Sequence, residues 1–268
     1  TGLMGGHWGI QGRLSNIGSK GYVDRASTKL NSYFLQAGYF GENTVVKFIT
    51  FNGVEQTYHA WDFASKYDQE QHGRTYNPSG KMEKDAAGNP QFYKNQNDNY
   101  HQQHYQLLWN QLLGADWNLN LALHYTKGDG YYEQYKKNQK LALYGLDAAA
   151  TKAKSSLVRE KWLDSYFYGA VASLNYDNKR NFSATLGEGW NKYSNDHFGR
   201  VTWVKKPVDD FMPNHEYYNN NTKKTDYNAY LKATYEFVKG LSAFADLQYR
   251  YVNVRMVGPA DATRAKRS

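Results

Sequence analysis

From Trp117 to Thr126 the chain alternates with period two. Trp117, Leu119, Leu121, Leu123 and Tyr125 are large and apolar; Asn118, Asn120, His124 and Thr126 between them are polar, with Ala122 the one small exception. Successive side chains of a strand point to opposite faces, so this pattern predicts a strand with one apolar face. An aromatic stands at each end of that face. The nine residues between and including them match a tilted strand crossing a bilayer core. Lys127-Gly128-Asp129-Gly130-Tyr131-Tyr132 then reads as a loop.

The same alternation recurs along the chain. The first strand is expected over about Leu3 to Asn16, with Trp8, Ile10 and Leu14 on one face and Gln11 and Arg13 on the other. The second centres on Tyr33, Leu35, Ala37 and Tyr39, and the third on Thr44 to Phe51, where the faces do not separate. Further strands follow at Tyr105–Leu113, Tyr168–Tyr176, Phe182–Trp190, Tyr227–Phe237 and Leu241–Tyr251. Four short turns, near Gly41, Gly114, Asn178 and Gly240, alternate with longer polar connections. The long ones lie at about Gly18–Ser27, the fifty residues after Gly53, Gly128–Lys161 and Asn191–Thr225. Ala148-Ala149-Ala150-Thr151-Lys152-Ala153-Lys154 has the composition of a short loop helix.

Short turns on one side and long loops on the other are the plan of an outer-membrane barrel. The charges within strands, Lys232, Glu236, Asp246 and Arg250, all fall on the polar face, where a water-filled lumen tolerates them. The predicted fold class is therefore all-β, an antiparallel up-and-down transmembrane β-barrel segment with long outer loops. About nine strands leave two unpaired edges, and unpaired backbone groups in lipid cost several kcal/mol each. The segment is expected to be a slice of a larger barrel.

Composition narrows this. Among 268 residues, 40% hydrophobic content and a mean hydropathy of −0.85 are low for a large buried core. Aromatics reach 16%, with 25 tyrosines, whose apolar rings and polar tips suit a membrane interface or a sugar-facing surface. No run of eighteen apolar residues predicts a spanning helix. With no cysteine there is no disulfide, thiolate zinc site or cysteine nucleophile. The +8 net charge is scattered over loops and polar strand faces, which argues against a nucleic-acid surface. The first residues, from Thr1, lack the basic and apolar regions of a signal peptide, and the sequence is read as a fragment or processed product.

Five stretches resemble the barrel region of TonB-dependent outer-membrane receptors, especially those of Bacteroidetes-type bacteria. They are Gln56-Thr57-Tyr58-His59-Ala60-Trp61, Asn97 to Leu107, Leu123 to Tyr135, Lys161-Trp162-Leu163-Asp164 and Gly187-Glu188-Gly189-Trp190-Asn191-Lys192-Tyr193. The resemblance implies that residues 1–268 are part of such a barrel, without its plug domain. It implies a plugged barrel of about twenty-two strands in the bacterial outer membrane, importing a ferric siderophore, haem, cobalamin or an oligosaccharide. The implied partners are lipid, the remaining strands and plug, and the TonB complex, acting through parts outside these stretches. The alternative is a soluble or surface-attached carbohydrate-binding module.

Candidate chemistry is sparse. His101 and His104 point to opposite faces of a strand and do not form a metal pair. Asp129 lacks the alternate oxygen ligands of a calcium loop and reads as a strand-end turn. Nothing fixes the separation of Asp68, Glu70, Asp98 and Glu133 for acid–base work. No catalytic group, cofactor or metal is assigned, and the chain is read as a non-enzyme. The candidate ligand contacts are aromatics at presumed outer strand ends, Tyr58, Trp61, Tyr76, Tyr132 and Trp190. Arg74, Lys84, Lys136 and Lys137 are candidates for drawing anionic ligands to the mouth.

Overall fold

A computed structural model describes residues 4–58, 60–146, 153–206 and 208–259. Among these residues nine antiparallel strands form one sheet in strict sequence order. They are β1 (Trp8–Ser19), β2 (Ser27–Phe40), β3 (Thr44–Tyr58), β4 (Asn97–Leu113), β5 (Trp117–Lys140), β6 (Lys154–Asp177), β7 (Phe182–Val204), β8 (His215–Val238) and β9 (Leu241–Val257). The up-and-down order and the alternation of short and long connections are as the sequence predicts.

At the short end, local chemistry reverses the chain. Gly114 (φ 76°) and Gly240 (φ 87°) take the left-handed conformation that glycine adopts without Cβ strain. Between β6 and β7, Asn178 Oδ1 accepts from the backbone N–H groups of Arg180, Asn181 and Phe182. At the other end the strands run much further than hydropathy suggests. β5 continues to Lys140, β6 starts at Lys154, β7 reaches Val204 and β8 starts at His215. The excursion expected at Gly128–Lys161 is mostly paired strand, as is that at Asn191–Thr225. Likewise β2 starts at Ser27, β3 ends at Tyr58, β4 starts at Asn97, and β1 begins at Trp8 and runs to Ser19. The reason is physical: beyond the hydrocarbon both faces meet water, so alternation of polarity disappears while backbone pairing persists. Asp129 is accordingly no turn; it sits mid-strand opposite His101 and Asp164. Of the loop-helix segment, 148–152 lie outside the described residues, and Lys154 is already strand.

The register sorts the faces. Trp8, Tyr39, Val46, Trp109, Leu121 and Ala172 are cross-strand neighbours or share their row's face, as do Leu107, Leu123, Ala170, Trp190 and Tyr227 further up. This outer face carries an apolar band, interrupted on β7 by Glu188, which lies between Ala172 and Ala229 in the row of Leu121. Its lower edge is set by Trp117, Tyr176, Phe182 and Tyr235, and its upper edge by Tyr105, Tyr125, Tyr168, Trp190 and Tyr227. From Trp117 to Tyr125 the strand rises ~26 Å, comparable with the ~25 Å apolar band of outer-membrane barrels before tilt is taken into account.

At the same height the inner face is largely polar, around a small apolar patch of Val45, Leu108, Ala122 and Val171. Asn110 donates to Asn118 (3.2 Å) and Asn120 (2.6 Å), Asn120 to Ser173 (3.3 Å), and Thr185 to Asn175 (2.9 Å). On β8 and β9, Arg250 grips Asp226 through two hydrogen bonds of 3.1 and 2.7 Å. No helix among the described residues is long and apolar enough to span a membrane.

Among the described residues, buried apolar side chains gather at the long-loop end. There Leu141, Tyr144, Leu146, Leu157 and Val201 form a small core under a 3₁₀ turn (Leu141–Tyr144), with Phe211 and Tyr217 packed against it. Leu123, Leu231 and Leu247 in the band are instead 41%, 45% and 69% exposed. Among the described residues the sheet has no second sheet to pack on, as it would have in a soluble sandwich. Its order runs from β1 to β9 without the two joining.

Candidate functional site

Segment 60–96 between β3 and β4 folds back over the sheet's end as a cap. A short helix, α1 (Lys66–His72), opens with a reciprocal cap in which Ser65 and Asp68 exchange hydrogen bonds. These bonds hold the Asp68 carboxyl below the usual range. In Asp85-Ala86-Ala87-Gly88-Asn89, the Asp85 carboxylate accepts from Asn89 and Ala87, which lowers its pKa in the same way.

Tyr58 roots the cap. Its hydroxyl donates toward the carbonyls of Ser79 (3.1 Å) and Tyr93 (3.0 Å) and accepts from Arg25 Nε (3.3 Å). The Arg25 guanidinium lies 3.6 Å over the Phe92 ring. Asn77 bonds the carbonyl of Asp24, so the β1–β2 connection is tied to the same cap. Glu83 is a second anchor. It accepts from Tyr135 on β5 and Ser156 on β6, and Lys205 after β7 lies 3.5 Å away. Burial opposes ionisation of Glu83, but these hydrogen bonds and the lysine outweigh it and hold the carboxyl down at about 2.

Below the cap, the inner face opens into a cleft of about 310 Å³ whose walls include Glu55, Asp98, Tyr100, Tyr132, Lys161 and Tyr218, with Leu163 and His197 beside them. Its floor is shaped by glycine. A Cβ on Gly130 would lie 2.2 Å from the Asn99 carbonyl oxygen, and one on Gly199 2.3 Å from the Tyr218 ring. The tyrosines thus lie against bare backbone. Trp61 meets Tyr132 edge-on, with ring centroids 5.1 Å apart, so the cap reaches the cleft's rim.

The five predicted contacts separate. Tyr132 lines the cleft and Trp61 packs on it. Tyr58 does not face ligand space: it is 5% exposed and structural to the cap. Tyr76 is engaged within the cap, packed on His72 (4.5 Å) and Phe92 (6.4 Å). Trp190 is not at an outer strand end. It sits mid-β7 on the apolar face, edge-on to Tyr168 at 5.8 Å. Of the carboxylates, Asp98 reaches the cleft, Asp68 and Glu70 stand on α1, and Glu133 bonds Tyr93. His101 and His104 do lie on opposite faces: His104 stacks on Phe51 at 4.2 Å, while His101 pairs with Asp129 at 3.7 Å. Among the described residues no group of three or more His, Asp or Glu is arranged to hold a metal. Sequence reading missed Tyr100, Lys161, His197 and Tyr218. The last three lie in the strand extensions beyond the recognised strands, and Tyr100 in the part of β4 taken as loop.

No protein-family model matches the sequence, and no curated protein matches it. Solved structures do. The ferric preacinetobactin receptor BauA from Acinetobacter baumannii aligns with a TM-score of 0.58 at 9% identity, covering 94% of this chain and 38% of that one. The ferric-catecholate import receptor Fiu from E. coli K12, in its open form, aligns at 0.56 and 6% identity, covering 95% of this chain and 42% of that one. The chain spans about two fifths of the length of either. At these identities the likeness is one of fold: an outer-membrane receptor barrel. Both neighbours are described as receptors, neither as an enzyme.

Proposed function

We propose that this chain is an arc of an outer-membrane receptor barrel that captures a small molecule or glycan and passes it inward, a transport role and not a catalytic one. The observation that carries it is the two-faced sheet. At one height the outer face is an apolar band edged by aromatics, and the inner face is a ladder of amides and ion pairs. A charge on the outer side of such a wall is costly and one on the inner side is not. On this reading residues 1–268 form one partial barrel unit, the free edges of β1 and β9 take further strands, and the bacterial outer membrane is the setting. The Bacteroidetes-type likeness rests on the five sequence stretches alone, and energy from a TonB complex is part of the proposal through the receptor fold. The cleft below the cap, with Tyr132, Tyr100 and Lys161, is the place where ligand is first held.

Single-tryptophan forms in bilayers containing brominated lipid test the membrane reading. Trp8, Trp109, Trp117 and Trp190 on the band are expected to be quenched, and Trp61 in the cap is not. Equal quenching at all five positions, or a chain that is monomeric and cooperatively folded in buffer without detergent, would instead favour the soluble carbohydrate-binding module. Uptake of labelled ligand by cells with and without the coding gene then tests transport.

A further inference from the structure

One register row on the outer wall is unlike the band beneath it. Lys29, Gln56, Asn99, Tyr131, Trp162 and Phe198 are successive cross-strand partners from β2 to β7, all on the outer face. Half of this rung is polar: Gln56 Nε2 donates to Asn99 Oδ1 at 3.0 Å, with Lys29 beside them. The other half is a continuous aromatic stack. Tyr131 lies 4.3 Å from Trp162 at 29°, and Trp162 lies 5.8 Å from Phe198 at 7°. Arg200 covers the end, 4.7 Å over Phe198, and Trp162 Nε1 is fixed by Glu160 at 2.7 Å. A shallow groove of about 370 Å³ runs along the polar half and ends on Tyr131 and Trp162, its lower lip formed by His101 and Asp129.

Height decides what meets this rung. Tyr131 lies six residues above Tyr125 at the upper edge of the band, ~20 Å along the strand and ~15 Å above the interface after a tilt of about 40°. Ordinary head groups extend only ~5–8 Å beyond the hydrocarbon. A phospholipid therefore falls short, whereas a lipid carrying several sugars reaches. The chemistry agrees: flat rings offer an apolar platform to sugar C–H faces, and amides with a lysine offer hydrogen bonds to hydroxyls. Charges around the groove are of both signs, Lys29 and Arg200 against Asp129 and Glu160, which suits hydroxyl-rich sugars better than phosphates. Five strand spacings make the rung ~24 Å wide, room for several sugar rings in a line.

We propose that this rung binds the oligosaccharide head group of an outer-leaflet glycolipid, anchoring the wall laterally in its membrane. The inference rests on the membrane reading above. To test it, a form keeping only Trp162 is placed in phosphatidylcholine vesicles with or without purified lipo-oligosaccharide, in vesicles with lipid A alone, and with the released free oligosaccharide. Lipo-oligosaccharide vesicles are expected to shift Trp162 emission, with lipid A and free sugar at least tenfold less effective. Tyr131→Ala and, independently, the milder Gln56→Ala are expected to weaken the response about tenfold, while the same substitutions made in separate forms keeping only Trp109 or only Trp190 leave quenching by brominated lipid unchanged. A Trp162 signal indifferent to lipo-oligosaccharide, unmoved by both substitutions, or matched by free sugar or lipid A overturns the proposal. Loss of band quenching in the unsubstituted chain overturns the membrane reading instead, so the two failures are distinct.

Discussion

Placing one charge on each face of β5 puts the two-faced wall to its sharpest trial. Leu121 lies on the outer face between Trp109 of β4 and Ala172 of β6. It is four residues, ~13 Å along the strand, from both Trp117 and Tyr125, hence close to the middle of the band. An arginine there meets hydrocarbon and costs ~2–4 kcal/mol. The neighbouring Ala122 faces the other way, near Val45, Leu108 and Val171 at a groove that also holds Lys47, Asn110 and Asn120. There an arginine head reaches water past its aliphatic stem, and the cost is expected to be under ~1 kcal/mol. The difference of ~2–3 kcal/mol corresponds to a roughly 30- to 150-fold change in the folded-to-unfolded ratio. Leu121→Arg and Ala122→Arg are to be compared by reversible denaturant titration in phospholipid vesicles, with heat-modifiable gel mobility as the folded-state marker. Equal destabilisation by the two, or a larger penalty for Ala122→Arg, would refute the face assignment on which the transport reading rests.

Other expectations concern the cap and the cleft. Glu83 has a folded-state pKa lowered from the ordinary 4.5 to about 2. Its contribution to holding the cap is therefore complete above about 4.5 and lost as pH falls through about 2; partial solvent contact limits it to ~1–2 kcal/mol. Hydrogen exchange in 79–96 should rise across that window, and Glu83→Gln should flatten the dependence. Tyr58→Phe strands the Ser79 and Tyr93 carbonyls and removes the acceptor of Arg25, a local cost of ~1–3 kcal/mol, expected as faster proteolysis within 60–96 with the spanning strands intact. Gly130→Ala would drive a Cβ to 2.2 Å from the Asn99 oxygen, so β4 and β5 must separate locally. Loss of ligand capture together with raised exchange at Tyr100 and Gly130 is expected, and an unperturbed variant would count against the cleft's geometry.

Much of the wall was legible in the chain. Period-two alternation identifies eight of the nine strands because a lipid face is largely apolar while the opposite face stays wet, and Trp117 to Tyr125 shows this in nine letters; the third strand is legible from its β-branched and aromatic residues instead. Glycine and asparagine at 114, 178 and 240 mark the short turns because few other residues adopt those backbone shapes or cap them. The same logic explains what stayed hidden. Once a strand leaves the hydrocarbon its faces are no longer distinguished by solvent, so Asp129, Lys161, His197 and Tyr218 read as loop although they are paired in the sheet. Their meeting around one cleft is a matter of register between strands far apart in sequence. So is the rung from Lys29 to Phe198: no local pattern in any one strand aligns six residues separated by up to 169 positions (198 − 29). Tyr58 and Trp190 make the point from the other side. An aromatic in sequence carries the same apolar ring whether it roots a cap, lines a cleft or faces lipid, and only the positions of its neighbours in space determine which.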